Sequence, residues 1–376
     1  MREFITGNQA IVRGALASGC DYFAGYPITP ASSILVEMMT RMPKTGGTAI
    51  QTEDELAAIG QCIGAAMGGA KAMTATSGPG LSLYSENIGL AQMGEVPLVI
   101  VDCQRMGPST GGATASGDGD VVFARHVTAG SYPLPVLAAT DAETAYRLTR
   151  VAFNIAEELR TPVILLSSKA ISMTRQTADL ERIELPEIVN RRTAPIDEAF
   201  TPYAIDFVED IPAFAPIGGP QRVRSTGSIH DEHGVLTVDR NRIDWKLTHL
   251  HRKITARRDC LEFVRADIDP DAHTLILSYG TANGAAAEAV ERLRDRGVPV
   301  SHLTLYSLWP MPEGAIRRAI THRIQRVLIP EINIGLYASE LGRVFHNLKI
   351  ESILQYDGGL IEPERIEDRV ANWPCG

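Results

Sequence analysis

The stretch KAMTATSGPGLSLYSENIGLAQMGEVPLVIV, residues 71–101, shows how the first half of this 376-residue chain is built. It predicts a strand over Ala72–Thr76, a helix over Leu81–Gly94 and a second strand over Pro97–Val101. The turn Ser77–Gly80, with sequence SGPG, separates the first strand from the helix. Strand, helix and strand at this spacing indicate a parallel sheet that is covered by helices on both faces.

The same alternation of short strands and amphipathic helices extends in both directions from this stretch. In the first half the sequence also predicts a helix capped by Asn8, a strand over Asp21–Gly25, a helix over Ser32–Met42, a helix over Leu56–Gly69 behind a capping box of Thr52 and Glu55, a helix over Asp141–Arg160 and a strand over Val163–Ser167. A second alternating region starts near Asp271, with strands over Thr274–Tyr279, Val300–Thr304 and Val327–Pro330 and helices over Asn283–Arg296 and Glu313–Thr321. The expected fold class is α/β, with two open, mainly parallel sheets.

The stretch from about Thr177 to Arg258 differs from both alternating regions. It is rich in proline, charged residues and turn residues. We therefore predict a connecting arm with little regular structure and at most two short strands. The expected organisation is a first domain over residues 1–180, the irregular arm over residues 181–258 and a second domain over residues 259–376.

Composition and charge exclude several classes of function. The chain has 36 Lys and Arg against 45 Asp and Glu, a formal charge of −9, which argues against nucleic acid or anionic membranes as the main partner. No run approaches about 18 uninterrupted apolar residues, and no basic segment followed by an apolar run opens the chain. The cysteines are too dispersed for a disulfide framework or an iron–sulfur cluster: Cys20, Cys62, Cys103, Cys260 and Cys375. We expect a cytoplasmic protein.

Two polar stretches are candidates for a functional role, one after a predicted strand and one at the start of a predicted helix. Each could instead have a purely structural role. Tyr26-Pro27-Ile28-Thr29-Pro30 lies where ligands bind in open α/β sheets, although two prolines also make a rigid turn. The acids of Gln51–Glu55 complement the dipole of the following helix. A functional role there requires one carboxylate that is buried and directed at a heterocycle nitrogen.

Three further stretches are open to more than one interpretation. The Ser77–Gly80 turn could hold a phosphate, or it could be a tight turn, since it lacks both GxGxxG and GxxxxGK[ST]. Arg105, followed by a loop rich in Gly, Ser and Thr, suits a small carboxylate, but a solvated loop charge is the alternative. His230-Asp231-Glu232-His233 could bind a metal, but HExxH is absent, so an ordinary polar loop is favoured.

Together these motifs resemble one family over nearly the whole chain. That family is the α subunit of the 2-oxoacid:ferredoxin oxidoreductases, and the sequence most resembles its 2-oxoglutarate branch. The motifs in question are Tyr26-Pro-Ile-Thr29-Pro, Glu53 before a helix of small residues, Thr76-Ser-Gly-Pro-Gly80, Gln104-Arg105-x-Gly-Pro-Ser-Thr-Gly111 and Ser225-Thr-Gly-x-x-His230-Asp-Glu-x-Gly234.

The resemblance implies thiamine diphosphate chemistry that is divided between two chains. The α chain would hold the aminopyrimidine end in a pyrimidine-binding domain, followed by a domain like the C-terminal domain of transketolase. A β subunit would hold the diphosphate, its Mg²⁺ and a [4Fe–4S] cluster, giving an (αβ)₂ assembly that reduces ferredoxin. The implied reaction converts 2-oxoglutarate and coenzyme A to succinyl-CoA and CO2, or fixes CO2 in reverse. The α pattern starts at once, so the γ domain that some members carry is not expected.

The resemblance also implies roles for individual residues. Glu53 would be the activating carboxylate at the pyrimidine, and we expect it to be buried. Arg105 and Thr29 would hold the C1 carboxylate of the substrate, and Thr114 would shape the pocket for its side chain. The implied cofactor contacts are Tyr26, Pro27, Ile28, Thr29, Ser77 and Gly78. The resemblance assigns no role to His230, Asp231, Glu232 or His233.

Alternatives remain open both outside and inside the enzyme class. A non-catalytic α/β scaffold that binds a cofactor predicts an exposed Glu53 and an Arg105 that points to solvent. Within the enzyme class, a pyruvate or branched-chain 2-oxoacid:ferredoxin oxidoreductase has the same motifs.

Overall fold

The computed structural model of the chain describes residues 2–372 and contains the predicted alternation of strands and helices. The strands are β1 (Glu3–Thr6), β2 (Tyr22–Gly25), β3 (Thr48–Gln51), β4 (Ala72–Thr76), β5 (Leu98–Gln104), β6 (Val136–Ala138), β7 (Pro162–Ser168), β8 (Arg175–Ala178), β9 (Val264–Asp267), β10 (Thr274–Ser278), β11 (Ser301–Leu305), β12 (Ser307–Trp309), β13 (Arg326–Glu331) and β14 (Lys349–Leu354). Cys375 lies outside the described residues.

The helices connect and flank these strands. They are α1 (Gly7–Ala17), α2 (Ser32–Arg41), α3 (Glu55–Met67), α4 (Gly78–Met93), α5 (Val121–Arg125), α6 (Ala142–Leu159), α7 (Lys169–Met173), α8 (Arg240–Thr255), α9 (Ala282–Asp295), α10 (Glu313–Ala319), α11 (Leu336–Val344) and α12 (Pro363–Ala371). Over the part of the chain that the structure describes, no helix combines the length and the apolar character needed to cross a membrane.

Two open sheets form the architecture and confirm the predicted fold class. The larger sheet has seven strands in the order β12-β6-β7-β5-β4-β2-β3, all parallel except β12. The smaller sheet has the order β14-β13-β10-β11-β9, with only β9 antiparallel. A separate antiparallel pair joins β1 to β8. Since β12 comes from the second half of the chain, it links that half to the larger sheet.

Strand β5 shows why the sequence forms a buried parallel sheet. Its seven residues, Leu98–Gln104, are all buried, because β4 and β7 flank it and helices cover both faces. Apolar side chains on the two faces of the larger sheet enter two different core clusters: Ile100 packs with Tyr84 of α4, and Val99 packs with Leu148 of α6. The near-continuous apolar run of a central parallel strand follows from this double burial.

Both predicted N-caps are wrong, because each side chain is used elsewhere. The cap of α1 is Thr6, which forms a capping box with Gln9. Asn8 lies inside the helix and donates from Nδ2 to the Pro30 carbonyl and to Ser33 Oγ, both at 2.8 Å. The cap of α3 is Asp54, whose Oδ1 accepts from Ala57 N at 2.7 Å, so Thr52 and Glu55 form no capping box.

The arm is also less irregular than predicted, because it contains the 16-residue helix α8. The sequence of α8, RNRIDWKLTHLHRKIT, lacks the apolar stripe that marks an amphipathic helix. Its buried side chains are mostly polar: Lys246, His249, Leu250, Lys253 and Ile254. A sequence search for apolar periodicity therefore misses this helix.

One buried carboxylate, Glu95, holds α8 against the larger sheet. Glu95 Oε1 accepts from Lys246 Nζ at 2.6 Å, and Oε2 accepts from His249 Nε2 at 2.9 Å and from Lys253 Nζ at 3.1 Å. His249 Nδ1 faces the Val208 carbonyl at 2.9 Å. Both ring nitrogens of His249 therefore face acceptors. Burial alone would raise the pKa of Glu95, but these cations outweigh burial and hold that pKa well below its usual range.

We expect Glu95→Gln to destabilise the fold by about 3–5 kcal/mol, the scale of a broken buried ion pair. The amide keeps the shape but leaves Lys246 and Lys253 without a compensating charge. The free energy of unfolding from denaturant titration measures the change. The control is Glu288→Gln, which removes an exposed i,i+4 partner of Arg292 and should cost no more than about 0.5 kcal/mol. Equal effects of the two variants would contradict the importance of the buried cluster.

Candidate active site

The polar stretches that follow the parallel strands meet at one edge of the larger sheet. Strands β2, β3, β4 and β5 are parallel and lie in the order β5-β4-β2-β3, so their carboxyl ends share that edge. The segments that leave this edge are Tyr26–Thr29, Thr52–Asp54, Ser77–Gly78 and Arg105. This is the position where ligands bind in open α/β sheets.

Arg105 and Thr29 are brought together across β4. Arg105 Nη1 donates to the Thr29 carbonyl at 2.6 Å, and the Arg105 residue is only 8% exposed. Its Nε–H is buried and has no hydrogen-bond partner among the described residues. One end of the guanidinium is therefore anchored, while a donor on the other edge is available to a ligand. A buried donor without a partner is costly, so a carboxylate that pairs with it has a clear energetic role.

Of the three acids that precede or open α3, Glu55 and not Glu53 is buried. Glu53 is exposed because it follows β3, the edge strand of the sheet, so the expected burial of Glu53 is wrong for this chain. Asp54 is occupied as the helix cap. Glu55 is 7% exposed, and no described hydrogen bond reaches its carboxylate. It is the acid with the burial that a functional role at this edge requires.

The turn at residues 77–80 brings the start of α4 close to Glu55. Helix α4 begins at Gly78, and the hydroxyl of its cap residue Ser77 is buried without a partner within the described chain. A Cβ atom on Gly80 would lie 1.9 Å from Thr76 Oγ1 and 3.0 Å from Glu55 Oε1, so only glycine fits. This part of the edge offers the Glu55 carboxylate, the unpaired Ser77 hydroxyl and the bare backbone at Gly80. A flat nitrogen heterocycle such as an aminopyrimidine fits such a set of groups.

The remaining predicted site residues are exposed or half-buried in this chain. Tyr26 and Pro27 are exposed, and Ile28 is half-buried. Thr114 is exposed on the loop over residues 106–120, and no described hydrogen bond joins it to Arg105 or Thr29.

The His230–His233 stretch lies at the far end of α4. The loop that precedes it packs against Leu90, twelve residues along α4 from Gly78 and hence roughly 18 Å away at 1.5 Å per residue. His230 Nδ1 bonds the Ser228 carbonyl, and burial lowers the pKa of His230 to about 4. Asp231 closes the turn by accepting from His233 N and Val235 N, and it pairs with Arg242. Over residues 2–372 no group of three or more His, Cys, Asp or Glu is arranged to hold a metal ion.

Sequence reasoning missed three aspartates around the end of β5, of which Asp102 and Asp118 are buried and Asp120 is half-buried. Asp102 lies within β5, and Asp118 and Asp120 follow in the loop. Burial raises the pKa of Asp102 well above its usual value, and the neighbouring Asp120 and Asp118 raise it further. Burial raises the pKa of Asp118 to about 7, and that of Asp120 to about 6 against the opposing effects of Asp102 and Arg105. The available signal was Asp102 itself, a charged residue inside the buried strand LVIVDCQ.

The loop that carries these acids is fixed to both sheets. Asp120 N donates to Gln104 Oε1 at 3.0 Å on the larger sheet. Asp118 Oδ2 accepts from Thr281 N at 3.1 Å, and the Asp118 carbonyl accepts from Asn333 Nδ2 at 2.9 Å. Thr281 and Asn333 belong to the half of the chain that forms the smaller sheet. The second half of the chain therefore helps to place the acids beside Arg105.

Comparison with known proteins gives the family. Residues 13–245 match the family described as "Pyruvate flavodoxin/ferredoxin oxidoreductase, thiamine diP-bdg", and residues 272–366 match "Pyruvate:ferredoxin oxidoreductase core domain II". The 2-oxoglutarate synthase subunit KorA of Methanocaldococcus jannaschii is 37% identical to this chain, with 98% of this chain and 99% of the relative covered.

Solved structures show the same fold. A 2-oxoglutarate:ferredoxin oxidoreductase from Magnetococcus marinus with 2-oxoglutarate, coenzyme A and succinyl-CoA bound is 32% identical, with a TM-score of 0.91. The match covers 98% of this chain but 65% of that chain, so this chain spans about two thirds of that protein's length. A split-gene transketolase at 11% identity, with 98% of both chains covered and a TM-score of 0.57, shares the fold alone. The chain belongs to the 2-oxoacid:ferredoxin oxidoreductase family.

Proposed function

We propose that this chain is the α subunit of a thiamine-diphosphate-dependent 2-oxoglutarate:ferredoxin oxidoreductase. The observation that carries the proposal is Arg105, a buried guanidinium that is anchored on the Thr29 carbonyl and keeps its Nε–H without a described partner. The proposed reaction is the CoA-dependent oxidative decarboxylation of 2-oxoglutarate to succinyl-CoA and CO2, with electrons passed to ferredoxin. Run in reverse, it would fix CO2.

The choice of 2-oxoglutarate over other 2-oxoacids rests on the relatives. The M. jannaschii relative is named a 2-oxoglutarate synthase subunit, and the M. marinus structure holds 2-oxoglutarate, coenzyme A and succinyl-CoA. Pyruvate and branched-chain 2-oxoacids remain the alternatives within the family. The scaffold alternative predicts an exposed Glu53 and an Arg105 that points to solvent. Glu53 is exposed, whereas Arg105 is buried.

Arg105 would orient the substrate through its C1 carboxylate. The Nε edge offers parallel N–H groups that match the two oxygens of a carboxylate. Because Nη1 is held by Thr29, the fork cannot rotate away, and the carboxylate is fixed relative to the strand ends. The Thr29 hydroxyl can add a further donor, and Thr114 is the proposed contact to the substrate's distal part.

The chain's carboxylates would handle the proton at the pyrimidine end of the cofactor. Thiamine diphosphate, when bound, supplies the nucleophilic carbon and the electron sink that decarboxylation needs. A carboxyl group hydrogen-bonded to the N1′ atom would hold a proton there. Burial favours Glu55 for this role, while the resemblance in motif spacing favours Glu53. Tyr26, Pro27, Ile28, Ser77 and Gly78 would line the same edge.

The other half of the site would come from a β subunit. That partner would carry the diphosphate, its Mg²⁺ and the [4Fe–4S] cluster, in an (αβ)₂ assembly that transfers electrons to ferredoxin. In this arrangement residues 1–180 would form the pyrimidine-binding domain and residues 259–376 the second domain. The arm over residues 181–258 would connect them through α8.

We expect the chain alone to be iron-free and inactive, and the complex with its β partner to oxidise 2-oxoglutarate with CoA and a viologen acceptor. The test is viologen reduction by the co-purified complex on a panel of 2-oxoglutarate, pyruvate and a branched-chain 2-oxoacid. A higher kcat/KM for 2-oxoglutarate supports the substrate assignment. A preference for pyruvate would overturn that assignment, and stoichiometric iron and sulfide on the isolated chain would overturn the division between subunits.

Arg105→Ala should lower kcat/KM by about 30-fold to several thousand-fold for every 2-oxoacid, since all share C1. This range corresponds to roughly 2–5 kcal/mol for leaving one partner of a buried charge pair alone. Arg105→Lys should restore activity only in part, because an ammonium lacks the planar fork. The control is Thr114→Ala, which should change the ratio between 2-oxoglutarate and pyruvate. An unchanged kcat/KM in Arg105→Ala would contradict the carboxylate role.

The two candidate carboxylates can be separated by a matched pair of amides. If Glu55 is the activating group, Glu55→Gln should lower kcat about a hundredfold or more, the scale of a lost proton-transfer role. Glu53→Gln and the cap variant Asp54→Asn should then stay within a few-fold of wild type, because Asn caps helices as well as Asp does. The measurement is the steady-state kcat for 2-oxoglutarate in the reconstituted complex. If Glu53→Gln lowers kcat about a hundredfold and Glu55→Gln does not, Glu53 is the activating group.

A further inference from the structure

The loop that carries Thr114 packs directly against the end of β5. A Cβ atom on Gly117 would lie 2.8 Å from Met106 Cα and 3.3 Å from the carbonyl carbon of Arg105, so only glycine fits there. Met106 N also donates to the Ala115 carbonyl at 3.1 Å. The residue after Thr114 is therefore bonded to the residue after Arg105, and the position of the loop determines where Thr114 lies relative to the guanidinium.

The half of the chain that forms the smaller sheet holds this loop from the other side, at Asp118. The Asp118 N–H donates to the Ile332 carbonyl at 2.9 Å, and the Asp118 carbonyl accepts from Asn333 Nδ2 at 2.9 Å. Asp118 Oδ2 accepts from Thr281 N at 3.1 Å, and a Cβ atom on Gly280 would lie 2.8 Å from the same oxygen. The loop is thus fixed between the end of β5 and the segments that follow β10 and β13.

Among the three groups that bond Asp118 from that half, Asn333 alone uses its side chain, and every hydrogen-bonding position of its amide is occupied. Nδ2 donates to the Asp118 carbonyl and to Tyr279 Oη, both at 2.9 Å. Oδ1 accepts from Gly335 N at 2.8 Å and from Leu336 N at 3.0 Å, where α11 starts. Asn333 is 4% exposed. Two donors and two acceptor sites that are all matched give the amide a single orientation.

A buried carboxylate fixes the group that orients Asn333. Tyr279 Oη donates to Glu331 Oε1 at 2.7 Å. Glu331 in turn accepts from Tyr337 N at 2.9 Å and from Ala338 N at 3.2 Å, in the first turn of α11. Asn333 is therefore held by the start of a helix and by a tyrosine that is itself fixed, and it presents one Nδ2–H to the loop from a rigid position.

We propose that Asn333 is a positioning residue for substrate selection, which holds the Asp118 carbonyl so that the loop keeps Thr114 at the distal end of a bound 2-oxoacid. This inference rests on the proposed function. Arg105 has its own anchor on the Thr29 carbonyl. Loss of the Asn333 bond should therefore weaken the contact to the distal part of the substrate and leave the contact to the C1 carboxylate in place. The second half of the chain would thereby take part in choosing the substrate.

The test is the ratio of kcat/KM for 2-oxoglutarate to kcat/KM for pyruvate, measured by viologen reduction in the co-purified αβ complex. Asn333→Ala should lower this ratio by about fivefold or more, the lower end of the cost of leaving a buried carbonyl without its donor. The change should come from a higher KM for 2-oxoglutarate, since pyruvate has no distal carboxylate. An inactive fraction of the protein cancels in the ratio, so a variant that only folds poorly leaves it unchanged. An unchanged ratio overturns the proposal.

A second variant separates the bond to the loop from the start of α11. Asn333→Asp keeps an acceptor for Gly335 N and Leu336 N, but it replaces the amide donors by an oxygen that repels the Asp118 carbonyl. At pH 8, which favours the introduced carboxylate, it should lower the ratio in the same direction as Asn333→Ala. A wild-type ratio in Asn333→Asp would show that the start of α11, and not the loop, is what matters, and it would overturn the proposal.

Amide hydrogen exchange in the same complex gives a readout besides activity. The peptide over residues 106–120 should exchange faster in Asn333→Ala than in wild type. The matched control is Asn154→Ala on α6, because Asn154 Nδ2 also donates to a backbone carbonyl, that of Glu187 in the arm, at 2.7 Å. This control should change neither the ratio nor the exchange of the loop. An equal loss of the ratio in both alanine variants would point to a general structural defect and overturn the proposal.

A double variant tests whether Asn333 acts through the loop. Asn333→Ala combined with Thr114→Ala should lower the ratio no further than the larger of the two single effects, because two changes that act through one element are not additive. Additive effects overturn the proposal. A wild-type complex that prefers 2-oxoglutarate, with an Asn333→Ala variant that keeps the ratio and the loop exchange, overturns this inference alone. A wild-type complex that oxidises no 2-oxoacid overturns the proposed function together with it.

Discussion

The hydrogen bond from Arg105 to the Thr29 carbonyl joins the ends of β5 and β2 across β4. It can form only because the parallel strands deliver their carboxyl ends to one edge. Asn8 supports it from below by holding the Pro30 carbonyl. The sheet order, the course of the loop after β2 and the packing of α1 are thus all required to place one guanidinium. The site depends on this constraint more than on any single side chain that surrounds it.

Buried charge is handled differently at the two ends of α4. At the end near α8, one carboxylate, Glu95, is surrounded by Lys246, His249 and Lys253, so the charges are matched by direct contacts. Near Arg105 there are three acids, Asp102, Asp118 and Asp120, and burial raises the pKa of each of them. The first arrangement stabilises a fixed structure. The second leaves carboxyl oxygens of Asp102, Asp118 and Asp120 buried without a hydrogen-bond partner among the described residues.

The sequence predicts those features that depend on local pattern. The bounds of β4 follow from its apolar run, and the resemblance to the family implied that Arg105 and Thr29 act together. Helix α8 could not be found, because most of its buried side chains are lysines and a histidine that contact the distant Glu95. The burial of Glu55 in place of Glu53 depends on β3 being the edge strand, which is a property of the sheet order and not of the segment.

The exposed parts of the site edge indicate what the single chain lacks. Large apolar side chains stand exposed in the first two turns of the helices that leave this edge, Leu56 on α3 and Leu83 on α4, and Tyr26 is exposed after β2. Exposed apolar groups that surround a polar site are typical of a surface that another chain covers. Such cover would exclude water from Arg105 and Glu55 and so strengthen every charge interaction at the edge. The incomplete burial of this site is therefore the physical counterpart of the proposed division between subunits.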